Sequence, residues 1–405
     1  MSLDLDLARE RFESSTDFTI GLEEEFAILD PATLELEHRF EDVYAACRQD
    51  ELLADSAAGE LIASEIEIRS GRAENFAEAM ENQRERRTRL FDLVEGLGLT
   101  LGAMGTHPWA NYLDQRIIDT PHYNRLRHEL GWVAQRNNTW SLHLHMGIRG
   151  ADRAVAVCDW MRELLPLLLA VSANSPFLDR HDTGLHTVRT EIFTRTFPRC
   201  GVPTAFGDWK RYADFVALLQ RTGSVVESTQ LWWSVRPHHE FGTVEVRVCD
   251  AQARGDEGFA LAGLIAACVA QTALDYDELG YEGRGTPLAG HEIEENLWRA
   301  IRYGAGGKMI DFRRGVEVET RALVDSVLDW TEPARSGLGI EVQLPDRNGA
   351  ERAREALDAG LSIEDIYRDS VAETKRTYAG AERREAGVAR AGDGGAASAY
   401  RLPRR

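Results

Sequence analysis

The sequence predicts an α+β fold that is built around an antiparallel sheet. Its strand-like segments are scattered along 405 residues and are separated by long segments with helical periodicity. No glycine-rich nucleotide-binding loop follows the first predicted strand, which disfavours a doubly wound parallel sheet. The chain contains 43% hydrophobic residues and can therefore bury a large core.

The order of the predicted elements follows from the spacing of the apolar residues. Strand patterns are found at 18–29, 34–38, 61–69, 141–148, 231–235 and 243–248. Helical patterns are found at 73–95, 152–172, 257–274, 292–303, 321–328, 350–357 and 363–378. Asp30 and Pro31 give a turn signal between the first two strands, which are therefore predicted to form a hairpin. The apolar helix 152–172 is expected to end near Pro176.

The chain is predicted to contain a single large domain with two terminal extensions. Residues 1–17 form a polar leader, and residues 18–378 contain all the predicted strands and helices. Residues 379–405 are rich in glycine, alanine and arginine and have little to bury, so we expect a disordered tail.

The composition limits the possible partners and compartment. The chain has 67 acidic and 47 basic residues, and its net charge of -20 opposes nonspecific binding to nucleic acid and to anionic membranes. Its five cysteines are odd in number and form no C-x-x-C pair, which favours neither a disulfide framework nor a zinc knuckle. No segment reaches the ~18 apolar residues of a membrane span, and no signal-peptide pattern is present. We therefore expect a soluble, cytoplasmic protein.

Two predicted strands carry closely spaced glutamates. In the first strand, Glu23 and Glu25 lie on one face and Glu24 on the other, because strand side chains alternate. In the strand at 61–69, Glu65 and Glu67 share a face by the same rule. Adjacent carboxylates repel one another, and each same-face pair could share a hard divalent cation such as Mg²⁺. A solvated strand face is the alternative for each cluster.

Two other strands carry imidazole and guanidinium groups. His143 and His145 lie on one face of their strand, a spacing that suits metal ligation or contact with phosphate. The same H-x-H pair would also fit a zinc hydrolase. Glu245 and Arg247 share a strand face, where the carboxylate can hold a metal and the guanidinium a phosphoryl group. A simple ion pair within the sheet is the alternative for this pair.

Two further arginines lie in less common settings. Arg189 lies in a loop-like segment at 184–197, and Arg302 lies in the predicted helix 292–303. Most arginines in a chain with this many are solvated, so the residues alone assign neither of them a function.

Five motifs, taken in order, resemble the carboxylate-amine ligase family called glutamate-cysteine ligase type 2. They are the segments 21–26, 60–71, 105–108, 143–147 and 236–250. The last two are also similar to the metal-binding core of the wider glutamine synthetase superfamily. The similarity extends from about residue 18 to about residue 378, which is nearly all of the predicted domain.

The resemblance implies a curved, mainly antiparallel sheet that forms a funnel-shaped active site, with helices packed outside. It also implies two or three Mg²⁺ ions that bridge the phosphates of ATP and the acceptor carboxylate. The implied metal ligands are Glu23, Glu25, Glu60, Glu67, His143 and Glu245. The implied catalytic contacts to phosphate or acyl phosphate are Arg236 and Arg247, and the implied substrate contacts are Arg189 and Arg302.

The second acid of the 61–69 strand is assigned differently by the two arguments. Alternation nominates Glu65 as the companion of Glu67, whereas the resemblance places that acid at Glu60. An odd separation of seven residues cannot keep both side chains on one face of a regular strand. We therefore favour Glu60 and expect it in the turn that leads into the strand.

The resemblance implies an ATP-dependent ligase that joins glutamate to an amine such as cysteine through a γ-glutamyl phosphate. ATP, glutamate and the amine are the implied small-molecule partners, and the sequence leaves a homo-oligomer open. A ligase for another carboxylate or amine is the first alternative. A metal-dependent hydrolase built on His143 and His145 is the second. A catalytically silent, nucleotide-binding member is the third, which the intact acids disfavour.

Overall fold

The computed structural model describes residues 3–376 as alternating helices and strands. The predicted tail at 379–405 lies outside the described residues. The strands are β1 (Ile20–Leu29), β2 (Ala57–Ala58), β3 (Glu65–Arg69), β4 (Thr100–Gly102), β5 (Ser141–Gly147), β6 (Phe177–Leu178), β7 (His181–Asp182), β8 (Val235–His238), β9 (Thr243–Asp250), β10 (Lys308–Asp311) and β11 (Val316–Glu319).

The described residues contain fourteen α-helices. They are α1 (Leu5–Glu13), α2 (Phe40–Cys47), α3 (Phe76–Gly96), α4 (Pro121–Leu130), α5 (Ala151–Met161), α6 (Leu165–Ser172), α7 (Val188–Thr196), α8 (Trp209–Arg221), α9 (Gly255–Gly283), α10 (Gly290–Tyr303), α11 (Thr320–Trp330), α12 (Glu332–Leu338), α13 (Gly349–Asp358) and α14 (Ile363–Arg376). The sequence analysis did not predict the helices α1, α2, α4, α7, α8 and α12. It also did not predict the short strands β2, β4, β6 and β7 or the β10–β11 hairpin.

A seven-stranded sheet organises the molecule. Its strand order is β2-β3-β1-β5-β9-β8, and β4 pairs with β1. Every pairing within this sheet is antiparallel. The prediction of an α+β fold with an antiparallel sheet is therefore confirmed. The funnel shape of the site remains a prediction.

Helices cover one face of the sheet and leave the other face for polar residues. The apolar side chains of Leu22, Leu144 and Val246 lie on the covered face and are buried in the largest core cluster. Helix α9 packs there against β5 and α5. It is long and apolar enough to cross a membrane, but 89% of its most apolar window is buried inside the protein. It is therefore best described as a core helix.

Three strand and loop predictions are wrong. The segment 34–38 makes an isolated bridge to β1 and not a strand, because Leu34 has a φ of 58° that interrupts an extended backbone. The strand predicted at 231–235 begins at Val235 and continues through Pro237, because β8 is an edge strand, where proline is tolerated. The loop-like segment 184–197 contains helix α7.

Two helical segments also differ from expectation. The single helix predicted at 152–172 is divided into α5 and α6 by a 3-10 turn, because Pro166 cannot donate a backbone hydrogen bond in the first turn of α6. The polar leader contains α1, whose Ala8 and Phe12 are buried in the main core. The N-terminal segment therefore contributes to packing.

Of the three consecutive glutamates at 23–25, Glu24 lies in the protein core. Glu24 points toward α3, where it forms a buried ion pair with Arg87 and accepts a hydrogen bond of 2.8 Å from Gln83 Nε2. The Arg87 guanidinium also lies 4.6 Å from the centroid of the Phe26 ring. The alternation predicted for β1 thus separates Glu24 from Glu23 and Glu25.

We expect Glu24→Gln to destabilise the protein by about 3–5 kcal/mol, because it leaves the buried Arg87 charge without its carboxylate. The measurement is the denaturant midpoint of unfolding. Glu81→Gln on the exposed side of α3 is the control and should change the midpoint little. An unchanged midpoint for Glu24→Gln would show that the ion pair contributes no net stability.

Glycine is required at the end of β5. A Cβ atom on Gly147 would lie 2.2 Å from the carbonyl oxygen of Thr16 and 2.4 Å from the Thr19 hydroxyl. The backbone N–H of Gly147 also donates to Thr19 O at 2.8 Å. This close approach explains the glycine of the H-x-H-M-G motif and fixes β5 beside the start of β1.

Candidate active site

Strand pairing brings the predicted site residues together on the uncovered face of the sheet. The central strand β1 places Glu23 opposite His143 of β5 and opposite Arg69 of β3. It places Glu25 opposite Glu67. Residues that are far apart in the sequence therefore become neighbours across three adjacent strands.

Two groups of potential metal ligands form around one imidazole. The first group is Glu23, His143 and Glu245, and the second is Glu25, Glu67 and His143. Within each group, one ligand atom from each residue lies within 4.8 Å of the others. The sharing of His143 makes the two groups adjacent.

Glu25 and His143 are both oriented by a serine that the sequence analysis missed. Glu25 accepts hydrogen bonds from the backbone N–H of Ser141 at 2.5 Å and from its hydroxyl at 2.6 Å. The same hydroxyl hydrogen-bonds His143 Nε2 at 2.7 Å. The i, i+2 spacing of Ser141 and His143 was a signal that could have identified this contact.

The residues of the two ligand groups are called the acidic cluster below. The second histidine of the H-x-H pair, His145, lies beside this cluster. His145 Nδ1 hydrogen-bonds the Thr243 hydroxyl at 3.0 Å, and its Nε2 lies 3.4 Å from Glu23 Oε1. That Nε2 has no hydrogen-bond partner within the described residues and is 3.8 Å from Glu245 Oε1.

Glu245 is held by two arginines. Arg236 Nε donates to Glu245 at 2.6 Å and Nη2 at 3.2 Å, while its Nη1 donates to backbone carbonyls including Leu231 O at 2.6 Å. Arg247 also forms an ion pair with Glu245 and lies 3.5 Å from His143 Nδ1. Arg236 therefore mainly anchors the carboxylate, whereas Arg247 reaches toward the shared histidine.

A β-bulge aims Arg247 into the cluster. The register places Leu142 opposite Cys249 and Leu144 opposite Val246, so His143 faces the two residues between them, Arg247 and Val248. A bulge re-aims side chains and is common beside functional sites.

Glu60 and Glu65 lie in different settings. Glu60 lies in the connection between β2 and β3, as expected, and its carboxyl shares a hydrogen bond with Glu67. Glu65 shares the face of Glu67 but is fully buried, and neither of its carboxyl oxygens has a hydrogen-bond partner in the described chain. Neither acid belongs to the two ligand groups around His143, so the choice of Glu60 over Glu65 remains a prediction.

The acids divide into two sets with opposite pKa shifts. Burial would raise the pKa values of Glu23 and Glu245, but the nearby imidazoles and arginines hold both well below their usual range. Burial and neighbouring carboxylates raise the pKa of Glu67 well above its usual value, and they raise that of Glu60 to about 7. The carboxylates near β3 thus repel one another in the absence of a cation.

The residues present fit Mg²⁺. The donors are mainly carboxylate oxygens, which this ion prefers, and in each group around His143 the ligand atoms lie within 4.8 Å of one another. The raised pKa of Glu67, which burial and neighbouring carboxylates cause, is the feature that a bound cation would relieve.

The raised pKa of Glu60 predicts a pH-dependent stability. The folded protein retains the Glu60 proton between the ordinary pKa of 4.5 and about 7, so the stability contributed by this group falls as the pH rises through that interval. We expect the melting temperature of metal-free wild type, relative to Glu60→Gln, to fall between pH 5 and pH 8. Added Mg²⁺ should raise the wild-type value more at pH 8 than at pH 5. A pH-independent difference would contradict this assignment.

The two predicted substrate arginines lie in different places. Arg189, in α7, donates to Val248 O at 3.2 Å and lies 3.5 Å from Asp250 Oδ1, directly behind the β9 bulge. Arg302 donates to Gly184 O and contacts the Tyr303 ring, neither of which belongs to the acidic cluster. The structure thus joins Arg189, and not Arg302, to the strand that carries Glu245.

Asp250 is a second residue that the sequence analysis did not identify. It accepts hydrogen bonds from the Asn174 backbone N–H at 2.9 Å, the Ser175 hydroxyl at 2.7 Å and the Thr187 hydroxyl at 3.0 Å. These contacts fix the start of α7 and hence the position of Arg189. They join segments that are distant in the sequence, so no local pattern could reveal them.

The sequence matches a family model and many relatives. The model described as glutamate-cysteine ligase family 2 matches residues 19–386. A protein of Rubrobacter xylanophilus with the provisional name glutamate–cysteine ligase 2-2 is 34% identical over 91% of this chain and 95% of its own length. A protein of Sorangium cellulosum, provisionally named glutamate–cysteine ligase 2, is 36% identical over 86% of this chain and 90% of its own length.

Solved structures share the fold at low sequence identity. Glutamate–cysteine ligase from Francisella tularensis, solved in complex with AMP, has a TM-score of 0.65 and 11% identity over 92% of this chain and 91% of its own. A bifunctional glutathione synthetase from Pasteurella multocida has a TM-score of 0.64 and 11% identity over 92% of this chain and 54% of its own. These likenesses support the fold alone. From the family model and the relatives, the protein belongs to glutamate-cysteine ligase family 2 and is an enzyme that forms carbon–nitrogen bonds.

Proposed function

We propose that the protein is an ATP-dependent ligase that joins the side-chain carboxylate of glutamate to an amine, with cysteine as the first candidate. The observation that carries this proposal is the pair of ligand groups that share His143, with Arg247 3.5 Å from that histidine. Adjacent cation sites beside an arginine suit the transfer of a phosphoryl group to a carboxylate. The names of the relatives favour glutamate and cysteine as substrates.

The proposed ligands of Mg²⁺ are the acids and imidazole predicted from the sequence. They are Glu23, Glu25, Glu60, Glu67, His143 and Glu245. When bound, Mg²⁺ would neutralise the triphosphate and polarise the phosphoryl group that is transferred. The strands that carry these residues are fixed by the apolar core on the opposite face of the sheet. The proposal also includes a funnel-shaped site like that of glutamine synthetase.

The arginines have distinct proposed roles. Arg247 contacts the transferred phosphoryl group, because it borders both the shared histidine and Glu245. Arg236 holds Glu245 in place through two hydrogen bonds. Its proposed effect on phosphate or acyl phosphate is therefore exerted through Glu245 and not by the direct contact that the resemblance implied. Arg189 donates a hydrogen bond to the β9 backbone at Val248 O, and we retain it as a proposed substrate contact. Arg302 is retained only from the resemblance.

The proposed reaction has two steps. The glutamate side-chain carboxylate attacks the γ-phosphorus of ATP, which forms a γ-glutamyl phosphate and releases ADP. The amine then attacks the carbonyl carbon and releases inorganic phosphate, so the amide forms at the expense of one phosphoanhydride bond. We propose that this occurs in the cytoplasm, where a residue not yet identified accepts the amine proton.

Isotope transfer tests this reaction sharply. Purified protein is incubated with Mg-ATP, a panel of amines and glutamate labelled with ¹⁸O in its side-chain carboxylate. We expect ADP release that requires both the carboxylate and an amine, and one ¹⁸O atom in each phosphate released. Product without labelled phosphate would exclude the acyl phosphate. If no combination of carboxylate and amine stimulated ADP release, the ligase proposal would be overturned.

The hydrolase alternative predicts a different result. It requires turnover without ATP and a zinc site dominated by the two histidines. The ligand groups around His143 contain more carboxylates than imidazoles, which favours Mg²⁺. Membership of a ligase family also disfavours a hydrolase. A ligase for a different amine remains the main alternative, and the panel of amines distinguishes it.

A further inference from the structure

A cavity of about 530 Å³ opens beside the acidic cluster, on the side formed by the start of β1 and the turn between β8 and β9. Its inner wall includes Glu23, which belongs to the cluster, and His145, which lies beside it. Its lining also includes Phe241, which is 51% exposed and whose ring stacks on that of His238 with the centroids 4.5 Å apart. The cavity is therefore a route from solvent to the proposed metal ligands.

Arg69 stands where this cavity meets the cluster. It lies at the end of β3, directly opposite Glu23 across the strand pair, and it shares the face of Glu67. Its Nε is 3.2 Å from Glu67 Oε1 but has no hydrogen-bond partner within residues 3–376.

Three arginines form ion pairs with acids of the cluster, and Arg69 is more exposed than Arg236 and Arg247. The side chain of Arg69 is 36% exposed, whereas those of Arg236 and Arg247 are 7% and 15% exposed. The latter two both pair with Glu245. Arg69 is thus the arginine of this set that an incoming anion in the cavity meets first.

The negative charge of the acidic cluster is a reason to expect an arginine that binds phosphate beside it. The acids would repel the phosphate chain of a nucleotide as it approaches. A guanidinium where the cavity meets the acids offers forked N–H donors to phosphate oxygens and offsets part of that repulsion. The ion pair with Glu67, in which Arg69 Nε lies 3.2 Å from Glu67 Oε1, keeps the guanidinium beside the acids before a nucleotide binds.

We propose that Arg69 contacts the phosphate chain of the nucleotide that enters through this cavity, and that it is a binding residue of the enzyme. This inference rests on the proposed function, since it assumes that a nucleoside triphosphate is the substrate. It assigns to Arg69 a role separate from that of Arg247, which acts on the transferred group.

Direct binding of Mg-ATP tests the inference. Titration calorimetry with Mg-ATP and no amine should show a dissociation constant about 10- to 100-fold higher for Arg69→Met than for wild type, the loss expected for a hydrogen bond to a charged group. Arg69→Lys, which keeps the charge but not the fork, should lie between the two. The KM for ATP should rise similarly, while the KM for glutamate should change less than about threefold.

The controls separate this role from two others. Arg211→Met removes an exposed arginine of α8, whose side chain is 73% exposed, and should leave Mg-ATP binding at the wild-type value. If Arg69 only oriented Glu67, then Arg69→Met would weaken binding of Mg²⁺ alone as much as that of Mg-ATP, which would overturn the inference. Unchanged Mg-ATP affinity in a folded Arg69→Met protein would also overturn it.

The same titrations distinguish this inference from the proposed function. If wild type does not bind Mg-ATP, both the proposed function and the role of Arg69 are wrong. If wild type binds Mg-ATP and the Arg69 variants bind it equally well, only the role of Arg69 is wrong. Melting temperatures measured on each variant show whether a loss of binding comes from unfolding.

Discussion

Glu245→Gln is expected to reduce kcat/KM by about 10³-fold or more, because it removes the charge of a proposed metal ligand while keeping the shape of the side chain. Glu245 is 1% exposed and is the shared partner of Arg236 and Arg247. The substitution therefore also leaves two arginines close together without their common carboxylate. The measurement is amine-dependent ADP release at saturating Mg²⁺.

A strand glutamate outside the site provides the matched control. Glu319, at the end of β11, is 61% exposed and pairs with Lys308. Glu319→Gln should retain nearly all activity, because the loss of an exposed ion pair changes little. Full activity in a folded Glu245→Gln protein would show that this carboxylate is not a required ligand.

Arg247→Lys is expected to lower kcat by about 10²-fold or more, with a smaller change in the KM for ATP. Lysine keeps the positive charge but cannot contact Glu245 and a phosphoryl oxygen with one planar fork. The bulge in β9 aims Arg247 toward His143, so a more flexible side chain would lose that orientation. Steady-state kinetics with ATP as the varied substrate measure both constants.

The control for this change is an arginine of similar burial outside the site. Arg299, in α10, has a side chain that is 22% exposed and donates to Glu317 at 2.7 Å. Arg299→Lys should leave kcat unchanged within about twofold. A similar fall in both variants would mean that the loss reflects general destabilisation and not the chemistry of Arg247.

These two substitutions report on different parts of the proposed reaction. Loss of Glu245 should weaken binding of Mg²⁺, which calorimetry can measure without turnover. Loss of the Arg247 fork should leave Mg²⁺ binding nearly intact and slow the chemical step. The opposite pattern would exchange the proposed roles, since the two side chains touch and influence each other.

Local sequence patterns were sufficient for much of the site because strand side chains alternate. That rule correctly placed Glu23 and Glu25 opposite to Glu24, and it placed Glu245 and Arg247 on one face. It could not find Ser141 or Asp250, since their importance depends on partners contributed by other segments. The same limit hid the helix that carries Arg189.

The resemblance selected Glu60 as the second acid of the strand predicted at 61–69, whereas alternation selected Glu65. The side chain of Glu60 precedes the regular part of β3, so its approach to Glu67 depends on the path of an irregular connection. Periodicity alone selected Glu65, which shares the expected face but is sealed from solvent. Strand alternation predicts the face of the sheet on which a side chain lies, but it does not predict how deeply that side chain is buried.

The sequence by itself determined the class of fold, the acidic strands and the face on which each acid lies, because these depend on composition and on a two-residue period. Only the tertiary structure decided which strands are neighbours, and hence that two ligand groups meet at His143. Strand order and register are set by packing among distant segments, which no local spacing encodes. The opposite pKa shifts of Glu23 and Glu67 follow from that same packing, because neighbouring imidazoles lower the pKa of Glu23, while burial and neighbouring carboxylates raise that of Glu67.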